Sequence, residues 1–370
     1  MKKIRALVVD DSALMRRLLT DILDSDSEIE VVGTAQDAFV ARDKIKALNP
    51  DVITLDIEMP RMDGLVFLEN LMRLRPMPVV MISSLTERGA DATLKALDLG
   101  AVDFVSKPKV DLANNLDDCS NEIRAKVKIA ARVPAHLLSG IAKNIDQSVT
   151  QQPGQLCSAT SATKQMLSRE LIAIGSSTGG TEAVKDVLVD MPPSCPGIVI
   201  TQHIPPEFSK SFALRLDKCT SLSVCEAQDG QAIYDGHAYV APGGRHLEVA
   251  KQGEKYVCRV SDGERVNRHR PSVDVLFDSV AKVLGEHSIG VILTGMGKDG
   301  ALGLATMHAA GARTVAQDEE SSVVWGMPRA AIELNAVDVV LPLNQIANKL
   351  TGFLSGSQMS LSKQQGRKSA

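Results

Sequence analysis

Residues 171–188 read LIAIGSSTGGTEAVKDVL, and this stretch decides the fold of the second half of the chain. Leu171–Ile174 is an apolar run without polar alternation, the pattern of a parallel strand buried on both faces. TEAVKDVL has helical spacing, so strand, turn and helix follow in succession. Between them, Gly175-Ser176-Ser177-Thr178-Gly179 matches G-x-S-x-G, the elbow that lifts a serine hydroxyl out of a sheet. Small residues allow the tight turn and the close approach of a substrate backbone. The helix that follows points free N–H groups and its positive dipole end at the turn, which suits a developing oxyanion. A glycine-rich turn of this kind also cradles phosphate. Here no G-K-[ST] completes a P-loop, and the spacing does not fit G-x-G-x-x-G. Ser176 competes as nucleophile, but Ser177 stands at the centre of the pattern.

A serine nucleophile needs a base that titrates near neutrality, and imidazole, at about 6.5 unperturbed, is the natural one. His203 follows the apolar run Ile198-Val199-Ile200 and precedes Pro205-Pro206. The proline pair is expected to deny the chain a helix there and to give the ring a rigid mount. A lone loop histidine is otherwise a surface residue. His136, His237, His246, His269, His287 and His308 lack the strand-end position. The third member should be a carboxylate that orients the imidazole. Asp299 lies in TGMGKDG, residues 294–300, directly after the apolar run Gly290–Leu293. Glycines 295, 297 and 300 leave the backbone free to turn that carboxylate inward; the competing role is a cap on the next helix. The order Ser, His, Asp is acceptable because triads are defined by geometry.

Further strands are expected at Gly197–Thr201 and Ile289–Thr294. Residues 222–266 hold short runs with glycine turns, such as His237–Val240 and Gly253–Arg259, expected to form antiparallel strands. The second half is thus α/β with a parallel sheet and a β-rich insertion. In the first 110 residues, strand candidates Ile4–Val9, Val31–Ala35, Val52–Leu55, Val79–Ile82 and Phe104–Val105 alternate with amphipathic stretches such as Leu14–Leu23 and Ala38–Leu48. That spacing fits a flavodoxin-like, doubly wound sheet. A last helix is expected from Asn115 to Ala131. Chemistry gathers at the carboxyl ends of such strands. Asp10 and Asp11 end the first, Asp56 the third and Ser83 the fourth, and Lys107-Pro108 follows the fifth. Carboxylates meeting at one edge repel unless a cation neutralises them, and hard oxygen donors suit Mg²⁺. A hydroxyl and a lysine alongside would hold phosphoryl oxygens.

The chain has 370 residues, 44% apolar and 23% charged, which fits two ordinary domains. A formal charge of −4 and 3% aromatics argue against nucleic acid as a partner. The six cysteines form no C-x-x-C pair, so reduced thiols are expected rather than disulfides or zinc. Asp10 and Asp11 interrupt what would resemble a signal peptide, and no apolar run is long enough to span a bilayer. The chain is therefore expected to be soluble and cytoplasmic. The expected organisation is a first α/β domain over 1–131, a linker over 132–167 that includes the polar stretch SVTQQPGQLCSATSAT, a catalytic domain over 168–355, and a disordered tail over 356–370.

VVDDSALMR, LDIEMPRMDG, MISS and VSKP resemble the receiver domains of two-component response regulators. That resemblance implies that Asp56 accepts a phosphoryl group from a histidine kinase. It further implies that Asp10 and Asp11 help hold Mg²⁺, and that Ser83 and Lys107 sense the phosphoryl group. AIGSSTGGTEAV, ITQHIPPEFSKSFA, VAPGGRHLEV, NRHRPSVDVLF and VILTGMGKDGALG resemble the chemotaxis protein-glutamate methylesterase (CheB) family. The family's nucleophile falls on Ser177, its base on His203 and its acid on Asp299. The resemblance implies hydrolysis of glutamate methyl esters on chemoreceptors, without a cofactor for the ester reaction, and adaptation in chemotaxis. Some members also deamidate glutamines. It implies too that the unphosphorylated receiver hinders access to the esterase site. Backbone N–H groups near Thr178 and Met296 are the oxyanion candidates, and Arg268 and Arg270 are candidates to meet an acidic receptor surface. The competing functions are a response regulator that binds an anionic partner through the glycine loop, and a hydrolase of small esters or amides.

Overall fold

The computed structural model describes residues 2–83, 86–107, 116–133 and 166–366, with the side chains of 87–88, 116–118 and 355–366 outside the description. The chain divides into two compact units, Met1–Thr160 and Ser161–Ala370. Most of the expected linker lies outside the described residues.

The first unit is a five-stranded parallel sheet of β1 (Ile4–Val9), β2 (Ile29–Ala35), β3 (Val52–Asp56), β4 (Val79–Ser83) and β5 (Asp103–Ser106). Its order β2-β1-β3-β4-β5 is the doubly wound arrangement expected from the sequence. The helices start where short polar side chains satisfy free N–H groups. Ser12 caps Ala13–Asp24, Asp37 caps Ala38–Leu48, and Asp63 caps Gly64–Leu74. Leu116–Ala130 closes the unit, burying Ile123 and Val127.

The second unit carries a seven-stranded sheet. Its strands are β6 (Leu171–Ser176), β7 (Gly197–Gln202), β8 (Ser223–Glu226), β9 (His237–Val240), β12 (Ser288–Ile292), β13 (Arg313–Gln317) and β14 (Val339–Leu341), while β10 (His246–Gln252) and β11 (Lys255–Ser261) pair separately. The sheet order is β14-β13-β12-β6-β7-β9-β8, and every pair in it is parallel. This corrects the expectation of antiparallel strands across 222–266. Among the named strands of the described residues only β10 and β11 pair antiparallel, and the expected run Gly253–Arg259 falls in that hairpin. His237–Val240 joins the main sheet because Ala238, Tyr239 and Val240 are all buried, so the strand is covered on both faces.

Two further expectations change. Pro205-Pro206 does not exclude a helix: Pro205 is the N-cap and Pro206 opens the helix Pro206–Cys219, where a missing N–H costs nothing. The segment after Gly356, expected to be disordered, continues the helix Leu343–Gly366. It contains no proline, so nothing stops a helix already nucleated by the packed turns around Ile346 and Leu350.

The helix Val273–Leu284 underlies the elbow. Its Val273 and Phe277 are fully buried, and they occupy the space where a Cβ on Gly175 would sit, 2.1 Å from Val273 Cγ1. Gly175→Ala should therefore overpack this contact and cost about 1–3 kcal/mol in urea unfolding. Pairing it with Val273→Ala should recover part of that loss.

Candidate functional site

In the register of β6 and β7, Ser176 pairs with Gln202, so Ser177 and His203 are the next residues beyond two adjacent strand ends. The other neighbour of β6 is β12, whose following loop carries Asp299. β6 is where the chain turns to opposite sides of the sheet, the switch point at which open α/β sheets bind ligands. The elbow is held from both sides. Ser177 N–H donates to Thr294 O at 3.0 Å, and His203 N–H donates to Ser176 O at 3.1 Å. The Gln202 side-chain amide donates to the carbonyls of Ser177 (2.9 Å) and His203 (3.0 Å).

His203 Nε2 lies 2.8 Å from Asp299 Oδ2. Asp299 is buried and ionised carboxylates only accept, so the network assigns the proton to Nε2. His203 Nδ1 is then the basic nitrogen; it is buried and makes no hydrogen bond, and no Ser177–His203 bond is formed in this structure. Such bonds commonly tighten only when substrate is present.

Asp299 receives much more than the imidazole. Its Oδ1 accepts from Ser272 Oγ (2.7 Å) and Asn267 Nδ2 (2.8 Å), and its Oδ2 accepts from Val273 N–H (2.7 Å). Burial pushes its pKa up, but the hydrogen bond and charge of His203, with Asn267 and Ser272, outweigh burial and hold it well below the usual range. Asp299 does cap a helix, though Val273–Leu284 rather than the one that follows it. Behind it, Asp274 accepts from Asn267 Nδ2 (2.6 Å) and Gly303 N–H (2.7 Å), and burial raises its pKa.

Of the oxyanion candidates, Thr178 is buried and Met296 is exposed. The N–H of Ser177 is committed to Thr294, which leaves the next residues to supply donors. Met296 N–H makes no hydrogen bond among the described residues. Arg270 Nη1 donates to the carbonyls of Asp262 (3.2 Å) and Gly263 (3.0 Å), which braces that loop, whereas Arg268 is exposed. The sequence did not point to Asn267, Ser272 or Gln202. Of these only Asn267 carried a signal, as a turn-forming residue next to the charged loop.

In the first unit, Asp10 and Asp56 are buried and Asp11 is exposed, and one oxygen from each lies within 4.8 Å of the others. Lys107 Nζ sits 2.7 Å from Asp56 Oδ2 and 3.2 Å from Asp10 Oδ2. The second contact is an ion pair without hydrogen-bond geometry, since Asp10 Oδ2 has no hydrogen-bond partner. Three carboxylates converging within 4.8 Å, with one ammonium between two of them, are a hard oxygen donor set that fits Mg²⁺. Burial, with the neighbouring Asp10, pushes Asp56 up to about 6 against the pull of Lys107. Ser83 Oγ donates to Gly89 O at 3.3 Å, and Lys107 N–H to Ser83 O at 2.8 Å. Gly64 closes the loop: a Cβ there would come 2.1 Å from Asp56 O.

The fold and its sites define a protein in which a receiver unit with an acidic pocket is joined to an α/β unit presenting serine, histidine and aspartate at its switch point. The profile of the CheB methylesterase family matches residues 172–350, and that of the response regulator receiver domain matches residues 6–116. The protein-glutamate methylesterase/protein-glutamine glutaminase of Nitrosomonas europaea is 54% identical over 359 residues, covering 96% of this chain and 98% of that protein. One from Xanthomonas oryzae pv. oryzae is 57% identical over 350 residues, covering 94% and 96%. The chain belongs to the protein-glutamate methylesterase/protein-glutamine glutaminase family. Among solved structures, the Thermotoga maritima CheB methylesterase catalytic domain is 40% identical, with a TM-score of 0.49, covering 50% of this chain and 98% of that one. The response regulator domain of Thermotoga maritima CheB is 46% identical, with a TM-score of 0.33, covering 36% and 99%. No helix among the described residues is long and apolar enough to cross a membrane.

Because the folded carboxyl of Asp299 titrates below its unfolded value, the unfolded chain binds that proton more readily. The stabilisation is complete above the unfolded value, about 3.9, and is lost as pH falls through the folded one. The stability gap between the native chain and Asp299→Asn should therefore narrow as unfolding is measured at successively lower pH below about 4.

Proposed function

We propose that the chain is a phosphorylation-activated, cytoplasmic protein-glutamate methylesterase that demethylates chemoreceptor glutamates in chemotactic adaptation. On this proposal it also deamidates receptor glutamines by the same acyl chemistry. What supports the proposal is the hydrogen bond between His203 and Asp299, together with the β6–β7 register that pairs Ser176 and Gln202, the residues just before Ser177 and His203.

Ser177 Oγ attacks the ester carbonyl and passes its proton to His203 Nδ1. Asp299, through Nε2, stabilises the imidazolium that forms. The N–H groups of Thr178 and Met296 take the oxyanion. Collapse of the tetrahedral intermediate breaks the C–O bond, and methoxide leaves with the proton from His203 as methanol. Water, deprotonated by the same nitrogen, then cleaves the acyl-enzyme to a glutamate carboxylate and restores Ser177. With a glutamine side chain, ammonia leaves instead. No cofactor enters these steps.

In the receiver, Asp56 accepts a phosphoryl group from a chemotaxis histidine kinase. Asp10, Asp11 and Asp56 would hold Mg²⁺, which neutralises the clustered carboxylates and phosphoryl oxygens. Lys107 and Ser83 would contact the phosphoryl group, exchanging their present partners, Asp56 and Gly89 O, for its oxygens. The unphosphorylated receiver restrains the esterase.

Methanol release from methylated receptor membranes, with and without acetyl phosphate, tests the whole proposal. Ser177→Ala should lower turnover by several orders of magnitude, on the scale of roughly 10⁶; near-normal hydrolysis would refute the catalytic assignment. Asp56→Asn should abolish stimulation by acetyl phosphate and retain the basal rate. Deleting residues 1–165 should raise the basal rate, and an unchanged or lower rate would defeat the inhibitory role of the receiver.

A further inference from the structure

Asn267 and Arg268 both have left-handed backbones, with φ of 53° and 70°. Val266 and His269 on either side exchange both backbone hydrogen bonds, 3.1 Å from Val266 N–H and 2.8 Å from His269 N–H. Val266–His269 is therefore a two-residue hairpin turn of the primed type, whose shape is set by its own closing pair. Such a turn projects neighbouring side chains in fixed directions, and here two of them reach the candidate triad. Asn267 Nδ2 donates to Asp299 Oδ1 and to Asp274 Oδ2. Both partners are acceptors, so the amide cannot be flipped without losing two bonds. The ring of His269 lies flat on that of His203, with centroids 3.7 Å apart and planes within 8°.

The stacked ring adds a restraint to the one the carboxylate supplies. The bond from Nε2 to Asp299 holds the far end of the ring at one point, and a single hydrogen bond tolerates some tilt about the Cβ–Cγ axis. Nδ1 lies farther from the axis and swings through a wider arc. A flat partner against one face opposes that rotation directly, because turning the ring drives its edge into the neighbour. His203 Nδ1, the atom left for the serine proton, is thus aimed by the stack together with the acid.

We propose that the turn Val266–His269 is a positioning clamp for the acid–base pair, with Asn267 orienting Asp299 and His269 setting the rotation of the His203 ring. This rests on the assignment of Ser177, His203 and Asp299 as nucleophile, base and acid. On this proposal His269 acts through the His203 ring it lies against, so its removal should lower the rate of chemistry and spare receptor binding.

The test uses the full chain with methylated receptor membranes and acetyl phosphate, measuring kcat and KM for methanol release alongside thermal unfolding. His269→Ala should lower kcat about ten- to a hundredfold, the scale of a misplaced catalytic group, with KM essentially unchanged. His269→Phe, which restores a flat ring, should recover most of that loss at a comparable melting temperature. A wild-type kcat for His269→Ala would overturn the clamp. So would a His269→Phe chain as slow as His269→Ala with both fully folded, since stacking would then not be what matters. Should His269→Ala fail to fold, His269→Asn, which keeps a polar turn residue and removes the ring, takes its place with the same outcomes. Ser177→Ala separates the two levels. Hydrolysis surviving in that variant defeats the triad itself, whereas its loss beside an unimpaired His269→Ala defeats the clamp alone.

Discussion

The second unit is organised around one buried negative charge. An isolated carboxylate as enclosed as Asp299 would cost several kcal/mol to desolvate. It remains ionised because donors reach it from three separate parts of the chain: His203 beyond β7, Asn267 in the turn, and Ser272 with Val273 at a helix start. Each donor is positioned by the need to satisfy that charge, and the charge positions each donor in return. The imidazole proton is thereby committed to Nε2, the helix Val273–Leu284 is anchored at its N-terminus, and the loop after β12 is drawn over the sheet edge. On the proposed mechanism, stability and catalytic geometry share the same bonds, which is how a preorganised site avoids reorganising when charge develops on it.

The receiver unit handles crowded carboxylates in the opposite way. Asp10, Asp11 and Asp56 converge with Lys107 as the cation held between two of them. One ammonium cannot balance three carboxylates, and burial, with the neighbouring Asp10, pushes Asp56 up to about 6 despite it. Asp299 has its charge fully spent on internal donors, whereas the receiver keeps negative charge in reserve for a divalent ion. A fixed charge suits an orienting acid, and an unbalanced one suits a site whose occupancy must change.

How much of this was legible in the sequence depended on whether the signal was local. Parallel strands buried on both faces leave unbroken apolar runs, so β1, β3, β4, β6 and β7 were readable to within a residue or two. Ser177, His203, Asp299 and the receiver aspartates stand at or just past strand ends, which the same runs mark. His237–Val240 was readable as a strand and misplaced as antiparallel, because pairing direction depends on which strand lies alongside, a nonlocal fact. Asn267, His269 and Ser272 were passed over for a related reason. Nothing in NRHRPS reveals that a two-residue turn will lie over a carboxylate some thirty positions later in the chain.

The switch-point architecture explains why such a clamp is needed at all. The proposed nucleophile follows the central strand β6, while the proposed base and acid follow β7 and β12 on its two sides, so the loop bearing Asp299 must cross toward His203. A carboxylate at the end of a glycine-rich loop has little rigidity of its own. It acquires rigidity from the helix beneath, whose Val273 packs where any side chain on Gly175 would stand. The first glycine of the elbow is thus demanded less by the turn it opens, since its φ is not left-handed, than by the helix that holds the acid. Elbow, acid and helix form one packed unit, and the side chain of His203 joins it through its hydrogen bond at Nε2, with Nδ1 buried and unbonded. The ring of His269 lies flat against that imidazole and opposes its tilt.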